Sequence, residues 1–398
     1  MKTIVSALLT LSLLAGITGA RALNAVPRDQ WRATQIVVHL DDEATITARR
    51  TSLEAKKNGW TWRGEIDETG EPAMVMWWND GRFSGGFIYR GDMYTLKPTT
   101  RIDSELHARA EATRERSSVQ HAAMHAHDLP GNHAKFKGEQ NPIDGTAMSR
   151  QEIAVRTSSA AQPDVPTISL EERRAMAAKK ITIDVMILYT SKVASKYLDA
   201  ETDLVAHSID EANASFVNSD IGNIKLRLVH SQVIDYDESD GDHFNHLYRM
   251  VDGVGSLANV RGLRNEKRAD VVVLIVDDAS GCGLTTRVGA DAEEAFAVVH
   301  HACAALTYSV PHEIGHIIGA GHDASWDQGI SPFSYGHGFV NGNKWRDIMS
   351  YKASCDGCPR VALWSNPTVT IKGEPAGTAQ ADNARVILEQ AERVSKFR

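Results

Sequence analysis

The stretch that decides the fold of this chain lies at residues 312–322. It reads His312-Glu313-Ile314-Gly315-His316-Ile317-Ile318-Gly319-Ala320-Gly321-His322. On an α-helix of about 3.6 residues per turn, His312 and His316 project from one face, so both imidazoles can reach one metal ion. Gly319 permits the sharp reversal that ends the helix and returns His322 as a third ligand. The spacing predicts a site for one Zn2+ ion that keeps an open position for catalysis.

Glu313 follows the first ligand without being one, and a second motif lies downstream of the third histidine. We expect Glu313 to accept a proton from a water whose pKa the zinc ion lowers to about 7. The second motif reads Asp347-Ile348-Met349-Ser350-Tyr351. A buried Met349 would form an apolar floor under the metal, and Tyr351 could approach the site as a second catalytic residue.

These motifs resemble those of the metzincin zinc endopeptidases. Asp323, directly after the third histidine, is similar to the reprolysin branch, whereas Met349-Ser350-Tyr351 is more like the Met-turns of serralysins and astacins. Two flanking runs add to the likeness, and they read Ile183-Asp184-Val185-Met186-Ile187-Leu188-Tyr189-Thr190 and Trp364-Ser365-Asn366-Pro367. Together these features resemble the bacterial peptidyl-Asp metalloendopeptidases over residues 180–398.

The resemblance implies an endopeptidase that acts on proteins or peptides and cleaves on the amino side of aspartate. Reading an aspartate requires a cation in the S1′ pocket, since a carboxylate in a partly dry cleft must be paired. In metzincins the chain after the Met-turn forms the pocket wall, and the cationic residues between Tyr351 and Trp364 are Arg360 and Lys352. We favour Arg360, because its planar fork can hold a carboxylate bidentately. We expect Asp323 to brace the Met-turn rather than contact substrate.

Other functions fit parts of the pattern. A metzincin endopeptidase of other specificity would share every zinc residue, and a catalytically inactive metal-binding or adhesion protein could share the fold. The inactive protein would usually have lost Glu313 or a histidine, and all four residues are present. A thermolysin-like enzyme would take its third ligand from a second helix, which Gly319 and His322 argue against.

The composition of the chain favours an exported, soluble protein. Residues 1–22 combine a basic start, an apolar run and Ala20-Arg21-Ala22, a pattern typical of a signal peptide. The rest of the sequence has no run of ~20 apolar residues that could span a membrane. The net charge of -8 gives no basic surface for nucleic acid. We therefore expect a secreted monomer, periplasmic only in transit, with neither a nucleic-acid nor a membrane partner.

Residues 23–100 predict a small β-rich prodomain. Strand-like runs lie at residues 35–40, 73–78, 83–89 and 93–96, and Asn79-Asp80-Gly81 predicts a hairpin turn. Four tryptophans at strand spacing should build the core rather than a binding surface, and these are Trp60, Trp62, Trp77 and Trp78. Residues 101–179 are polar, alanine-rich and broken by prolines, which predicts a partly helical or disordered linker.

The linker and the N-terminal domain together are expected to form a removable propeptide that inhibits the enzyme. The linker carries His107, His121, His125, His127 and His133. Scattered histidines are usually plain polar residues, but one of them could block the open zinc position. No cysteine precedes Cys282, so a cysteine cannot provide latency. The predicted cut lies between Ala175 and Ile183, beside the basic pairs Arg173-Arg174 and Lys179-Lys180, which we expect to be exposed.

The four cysteines all lie in the predicted catalytic domain, residues 180–398. An even count in an exported protein favours two disulfides. We expect Cys282 to pair with Cys303 and Cys355 with Cys358, although the sequence permits three connectivities. A structural zinc site at Cys355 and Cys358 is the alternative, and it lacks a second ligand pair at suitable spacing.

The catalytic domain alternates strands and helices, which predicts an α/β fold (also describable as α+β), an α/β/α sandwich of metzincin type with a mixed sheet. Strands are expected at residues 181–189, 225–234 and 270–276, with 296–304 as the edge strand beside which a substrate peptide would bind. Helices are expected at 203–218 and 379–394. The helix carrying the zinc ligands should start near Thr307 as its cap, with Pro311 tolerated in the first turn.

Overall fold

A computed structural model of the chain describes thirteen segments of it. These are residues 32–40, 45–56, 59–78, 83–90, 92–96, 101–102, 107–109, 113–115, 168–197, 199–239, 241–278, 280–326 and 331–398. The predicted signal peptide, the hairpin turn at Asn79-Asp80-Gly81 and most of the linker with four of its five histidines lie outside these residues. Among the residues that the structure describes, no helix has the length and apolar content needed to span a membrane.

The N-terminal residues form one sheet of nine strands. They are β1 (Gln35–His39), β2 (Thr45–Lys56), β3 (Gly59–Ile66), β4 (Pro72–Trp78), β5 (Phe83–Tyr89), β6 (Asp92–Leu96), β7 (Arg101–Ile102), β8 (His107–Arg109) and β9 (Thr113–Glu115). Their order is β7-β8-β1-β2-β3-β4-β5-β6-β9. Every pair is antiparallel except β1 with β8. The central strands therefore pair in chain order, as short hairpin connections require.

Three of the four predicted tryptophans contribute to the core of this sheet, whereas Trp78 is half-buried outside the cluster. Trp62 is fully buried and Trp77 is nearly so, while Trp60 packs against the same cluster from a half-buried position. The Trp62 indole N–H donates to the carbonyl of Ala33 at 2.9 Å, which satisfies its polar end.

Two features of this sheet differ from the sequence-based prediction. The strands β2 and β3 were not predicted, and β2 gives a weak strand signal because half of its residues are exposed and it carries two arginines, a glutamate and a lysine. Strands also continue past residue 100, where β7, β8 and β9 join the two edges of the sheet. The predicted linker therefore begins with sheet residues, since strand pairing with distant partners overrides a polar local sequence. The division of the chain into domains otherwise remains a prediction.

The C-terminal residues are built on a five-stranded mixed sheet. Its strands are β10 (Ile181–Thr190), β11 (Ile224–Ile234), β12 (Val271–Val276), β13 (Gly283–Thr285) and β14 (Phe296–His300), in the order β11-β10-β12-β14-β13. All neighbours are parallel except β13 with β14. Every residue of β12 is fully buried. Its continuous apolar sequence is what a parallel strand covered on both faces requires.

Helices cover both faces of this sheet, so the predicted α/β/α sandwich is confirmed. They are α1 (Leu170–Ala177), α2 (Ser191–Ala194), α3 (His207–Asn218), α4 (His243–Asp252), α5 (Val260–Lys267), α6 (Ser309–Ile318) and α7 (Asn383–Val394). One core cluster joins alternate strand residues to α3, α6 and α7. A second cluster joins the opposite strand face to α4 and α5. Two small hairpins complete the chain, β15 (Val340–Asn341) with β16 (Trp345–Arg346), and β17 (Asn366–Ile371) with β18 (Glu374–Ala376).

The predicted edge strand and two predicted helix starts were wrong. Strand β14 is internal, because β13 folds back antiparallel against it and takes the edge. Helix α6 begins at Ser309 after Tyr308, whose φ is 59°, and Thr307 instead donates its hydroxyl to the Cys303 carbonyl. The last helix begins at 383, where the Asp382 side chain caps it. Pro311 does fall in the first turn of α6, where a missing N–H costs nothing.

The N-terminal sheet packs directly on the C-terminal α/β/α sandwich, and a buried ion pair joins the two. Arg63 of β3 donates through Nε to Glu211 of α3 at 2.8 Å, and Glu211 is almost fully buried. Beside this pair the buried His207 contacts the sulfur of Met74 on β4. Met74 also packs against Ala305 and the neighbouring leucine, just ahead of α6. The N-terminal sheet therefore lies against the segment that leads into the helix of the predicted zinc ligands.

Candidate active site

The three predicted metal ligands converge on one point. The Nε2 atoms of His312 and His316 are 3.2 Å apart, those of His316 and His322 are 3.0 Å apart, and those of His312 and His322 are 3.2 Å apart. Three nitrogens at about 2.0–2.1 Å from one tetrahedral ion would be about 3.3 Å apart. All three imidazoles are buried. The arrangement therefore fits a small ion held by three neutral imidazoles.

Backbone carbonyls hold two of these rings in the tautomer that binds metal. His312 donates from Nδ1 to the carbonyl of Ile348 at 2.9 Å, and His316 donates from Nδ1 to the carbonyl of Ala320 at 2.8 Å. With the proton on Nδ1, the Nε2 lone pair points into the site. Since Ile348 belongs to the Met-turn, this turn orients the first ligand.

The reversal that returns His322 depends on Gly319 and on a residue far along the chain. Gly319 ends α6 with a φ of 135°, and an added Cβ would lie 2.8 Å from the Phe333 ring. Asn383 at the start of α7 then holds Gly321 from both sides. Its Oδ1 accepts from the Gly321 N–H at 3.1 Å, and its Nδ2 donates to the Gly321 carbonyl at 2.9 Å. These two hydrogen bonds hold the backbone directly before His322, the predicted third ligand.

Glu313 lies on α6, and its carboxylate is next to the edge strand β13. It is 4 % exposed, and a Cβ added at Gly283 of β13 would overlap its carboxylate. Burial raises the pKa of Glu313 to about 8, against the opposing effect of the Arg360 charge. The glycine therefore leaves room for the carboxylate at the edge of the sheet, where the side of β13 that pairs with no other described strand can accept an extended peptide.

Met349 is fully buried beneath α6, as the sequence predicted. Its sulfur would lie 3.5 Å from a Cβ added at Gly315, and the Trp364 ring packs against the same glycine with Cζ3 at 2.6 Å from that position. The indole of Trp364 donates to the Ser215 hydroxyl at 2.9 Å. Gly315 is thus where α6 packs against Met349 and Trp364, and a side chain at this position would push the helix away from both residues.

Two carboxylates stabilise the Met-turn. Asp347 accepts from the Met349 N–H at 3.1 Å and the Ser350 hydroxyl at 2.6 Å, and burial raises its pKa to about 7. Asp323 accepts from the Tyr351 N–H at 2.9 Å. The predicted brace at Asp323 is therefore present, because this side chain ties the segment after the third ligand to the end of the Met-turn. The Tyr351 ring lies 4.5 Å from the ring of the third ligand, His322.

The two cations proposed to read the substrate side chain lie in different environments. Arg360 is buried and donates to the carbonyls of Thr307 at 2.9 Å and Ser350 at 3.2 Å. Burial lowers its pKa, and Glu313 and Tyr351 are among the groups that act on its charge. The Lys352 side chain is 46 % exposed. Arg360 therefore links the Met-turn to the segment before α6, whereas the Lys352 side chain is half-exposed and lies 3.9 Å from the Glu71 carboxylate.

Both expected disulfides are formed. Cys282 pairs with Cys303, and Cys355 pairs with Cys358. The alternative of a zinc site at Cys355 and Cys358 was wrong, since bonded sulfurs cannot act as thiolate ligands. The Cys282–Cys303 bridge joins the residue just before β13 to the segment that leads into α6. It therefore connects the edge strand to the helix that carries Glu313.

Comparison with known proteins agrees with this geometry. The model of metallo-peptidase family M12, in its reprolysin group, matches residues 179–365. A peptidyl-Asp metalloendopeptidase of Xanthomonas campestris pv. campestris is 32% identical over 374 residues, which is 90% of this chain and 80% of that protein. The chain belongs to metallo-peptidase family M12. A protein of the same name from Stenotrophomonas maltophilia is 37% identical over 231 residues, which is 56% of this chain and 55% of its own length. The protein is therefore a metalloendopeptidase.

Three residues of this M12 metallopeptidase were missed by the sequence analysis. Asn383 holds the turn before the third ligand, and Gly283 makes room for Glu313. Arg346 lies beside Arg360, since the backbone of the two residues forms an isolated parallel bridge. The sequence offers a signal only for Arg346, a cation directly before the Met-turn aspartate. The other two act through contacts with residues distant in the chain.

Proposed function

We propose that this metalloendopeptidase is a secreted zinc enzyme that uses Glu313 as its general base and cleaves on the amino side of aspartate. Convergence of three imidazole Nε2 atoms within 3.2 Å of one another carries the zinc assignment. Three histidines with an open position are the donor set of catalytic zinc. When bound, zinc supplies Lewis acidity that makes water nucleophilic near neutral pH.

The chain's own residues then carry the proton and hold the substrate. Glu313 accepts the proton of the attacking water on a carboxylate oxygen and delivers it to the leaving amine. Tyr351, beside the third ligand, donates a hydrogen bond to the oxygen of the tetrahedral state. The free side of β13 pairs with the extended substrate backbone and aligns the scissile bond with Glu313.

Replacing Glu313 by glutamine tests the proton-transfer role. Glu313→Gln should retain one zinc ion per chain and lose peptide hydrolysis, because an amide cannot accept the proton while the three imidazoles are unchanged. Zinc content and casein hydrolysis are measured with and without a chelator. Glu266→Gln, at an exposed surface position, serves as the control and should behave as the wild type. A zinc-loaded Glu313→Gln protein with even a tenth of wild-type turnover would contradict the assignment.

The proposed preference for aspartate rests on the names of the relatives and on the cations of the segment after the Met-turn. Digestion of a mixed peptide library by the mature enzyme should place aspartate directly after most cleaved bonds. Arg360→Ala tests the residue favoured from the sequence. Because Arg360 bonds two carbonyls that frame the site, its loss should lower the hydrolysis of all peptides rather than change the preference alone.

We also propose that the enzyme is exported and matures by loss of its N-terminal part. Two formed disulfides agree with an oxidising compartment. Arg174, Lys179 and Lys180 are exposed as expected, but the expectation was wrong for Arg173, which is buried in an ion pair with Asp382 and also donates to Asn366. Helix α1 is thereby bound to α7, which favours a cut ahead of Ser169 over the window that begins at Ala175.

N-terminal sequencing of the secreted active enzyme decides between these positions. A start before Ser169 would keep α1 and its ion pair in the mature protein. A start between Ala175 and Ile183 would restore the window predicted from the basic pairs. Active protein that still contains the N-terminal sheet would contradict maturation altogether.

A further inference from the structure

The N-terminal sheet brings one carboxylate to the cationic segment that follows the Met-turn. Glu71 lies at the end of the turn between β3 and β4 and is 6 % exposed. Its Oε1 is 3.9 Å from Nζ of Lys352, and its Oε2 accepts from the Arg90 N–H at 2.6 Å. Burying a carboxylate is costly unless a cation or hydrogen-bond donors accompany it. The catalytic part therefore supplies the charge that this side chain needs.

A second cation, Arg346, lies directly before the Met-turn and is joined to the same segment, because its backbone N–H donates at 2.9 Å to the carbonyl of Pro359, the residue against which Gly70 lies. Arg346 is buried and donates through Nη1 to the Cys358 carbonyl, while its Nε has no hydrogen-bond partner among the described residues. Burial and the nearby Arg360 lower its pKa to about 9, and the charges of Asp347 and Glu71 act in the opposite direction. A buried guanidinium with an unsatisfied N–H is suited to hold an incoming carboxylate.

The backbone around Glu71 is closed into a turn rather than extended. Ile66 donates its N–H to the Glu71 carbonyl at 2.8 Å, and Gly70 donates to the Ile66 carbonyl at 2.7 Å. Gly70, with a φ of 67°, lies against Pro359, where an added Cβ would be 3.7 Å from its ring. A turn held in this way cannot pair with β13 as an extended substrate does. It brings an acidic side chain to Lys352 on a folded rather than an extended backbone.

We propose that Arg346 and Lys352 form the subsite that receives the acidic side chain of the substrate, and that Glu71 occupies this subsite in the uncleaved chain. Arg360 then acts as a positioning residue, since its guanidinium bonds the Thr307 and Ser350 carbonyls. The inference rests on the proposed cleavage at aspartate. It makes the N-terminal sheet an inhibitor that imitates the substrate's charge.

The first experiment uses the full-length chain before processing, with its intactness followed on gels. Glu71→Gln should raise its hydrolysis of a fluorogenic peptide with aspartate after the scissile bond by at least about tenfold, because a neutral amide pairs poorly with the two cations. Glu68→Gln is the matched control, since this neighbouring carboxylate accepts from Tyr89 rather than from the catalytic part. Equal rates for Glu71→Gln and the wild type would overturn the proposed occupant.

The second experiment uses the mature enzyme and two peptides that differ only in aspartate or asparagine after the cleaved bond. Arg346→Met should lower the ratio of kcat/KM for the two peptides by at least about tenfold, whatever its effect on the hydrolysis of both. Arg346→Lys should restore part of the ratio. An unchanged ratio in a folded Arg346→Met protein would overturn the role of Arg346.

Further outcomes separate this inference from the proposed function. If the wild type shows no preference for aspartate, the proposed specificity fails and the subsite fails with it. If the preference is present but survives in both Arg346→Met and Lys352→Met, only the subsite assignment fails. Should Arg346→Met not fold, Lys352→Met decides the matter, because its side chain is half-exposed and its loss leaves the core intact.

Discussion

The buried hydrogen bonds of Asp323 allow a quantitative prediction. Replacement by alanine removes both these bonds and the negative charge, whereas replacement by asparagine removes only the charge. Asp323 is 4 % exposed and accepts from the Tyr351 N–H at 2.9 Å and the Ser354 hydroxyl at 2.9 Å, with the Ser325 hydroxyl as a third donor. In Asp323→Ala the two serines can still bond each other, since their oxygens are 3.1 Å apart. The Tyr351 N–H alone is left buried without an acceptor.

Losing one hydrogen bond to a buried carboxylate costs about 1.5–3 kcal/mol. For a catalytic domain of this size, a loss of about 2 kcal/mol lowers the Tm by about 4–8 °C. We expect kcat/KM to fall about tenfold, since the Tyr351 ring beside the third ligand loses its anchor. Thermal unfolding and peptide hydrolysis of the zinc-loaded protein measure both effects.

Asp323→Asn is the control that could refute this reasoning. Its side-chain oxygen can still accept from the Tyr351 N–H, and its amide can donate to the serine hydroxyls. We therefore expect a stability loss below about 1 kcal/mol and activity within about threefold of the wild type. If Asp323→Asn were as damaged as Asp323→Ala, the negative charge itself would matter and the brace would be rejected. An unchanged Tm in Asp323→Ala would reject it as well.

Three further predictions follow from buried contacts. Gly315→Ala should destabilise the protein by about 1–3 kcal/mol and reduce the zinc retained after dialysis, because the new methyl overlaps the Trp364 ring; full zinc and an unchanged Tm would contradict this. Arg63→Ala should cost the full chain about 3–5 kcal/mol in denaturant unfolding, because it leaves Glu211 buried without its cation, and Arg63→Lys should cost less. Burial lowers the pKa of His207 from 6.5 to about 3, so its contribution to stability is complete above pH 6.5 and declines towards pH 3 by up to about 1.4 kcal/mol per pH unit. Denaturant unfolding at pH 7 and 5.5 should show a smaller pH dependence in His207→Gln, and an equal dependence would exclude this group.

Helical periodicity made the three histidines recognisable as candidate metal ligands. His312 and His316 share a face because they are four residues apart on one helix, and Gly319 marks where that helix ends. The central strand at 271–276 was also predictable, since a continuous apolar run must be covered on both faces. Each of these predictions depends on residues close together in the chain.

The errors arose where distant segments decide the structure. The edge strand was assigned to β14 because its sequence is strand-like, yet the short β13 takes the edge by pairing back onto it. The dibasic Arg173 was expected in solvent and is instead buried against Asp382, more than two hundred residues later. A local pattern cannot report a partner on another element.

The sequence by itself determined how the three predicted metal ligands are arranged, because helix geometry brings His312 and His316 to one face and Gly319 permits the reversal before His322. Only the tertiary structure determined which residues from distant segments lie around these histidines. Asn383 reaches the turn of the third ligand, Arg346 comes to lie beside Arg360, and Glu71 meets Lys352. These contacts join residues that are 14 (346 to 360) to 281 (71 to 352) positions apart in the chain. They follow from strand order and layer packing, which minimise exposed apolar surface over the whole chain and leave no short-range mark in the sequence.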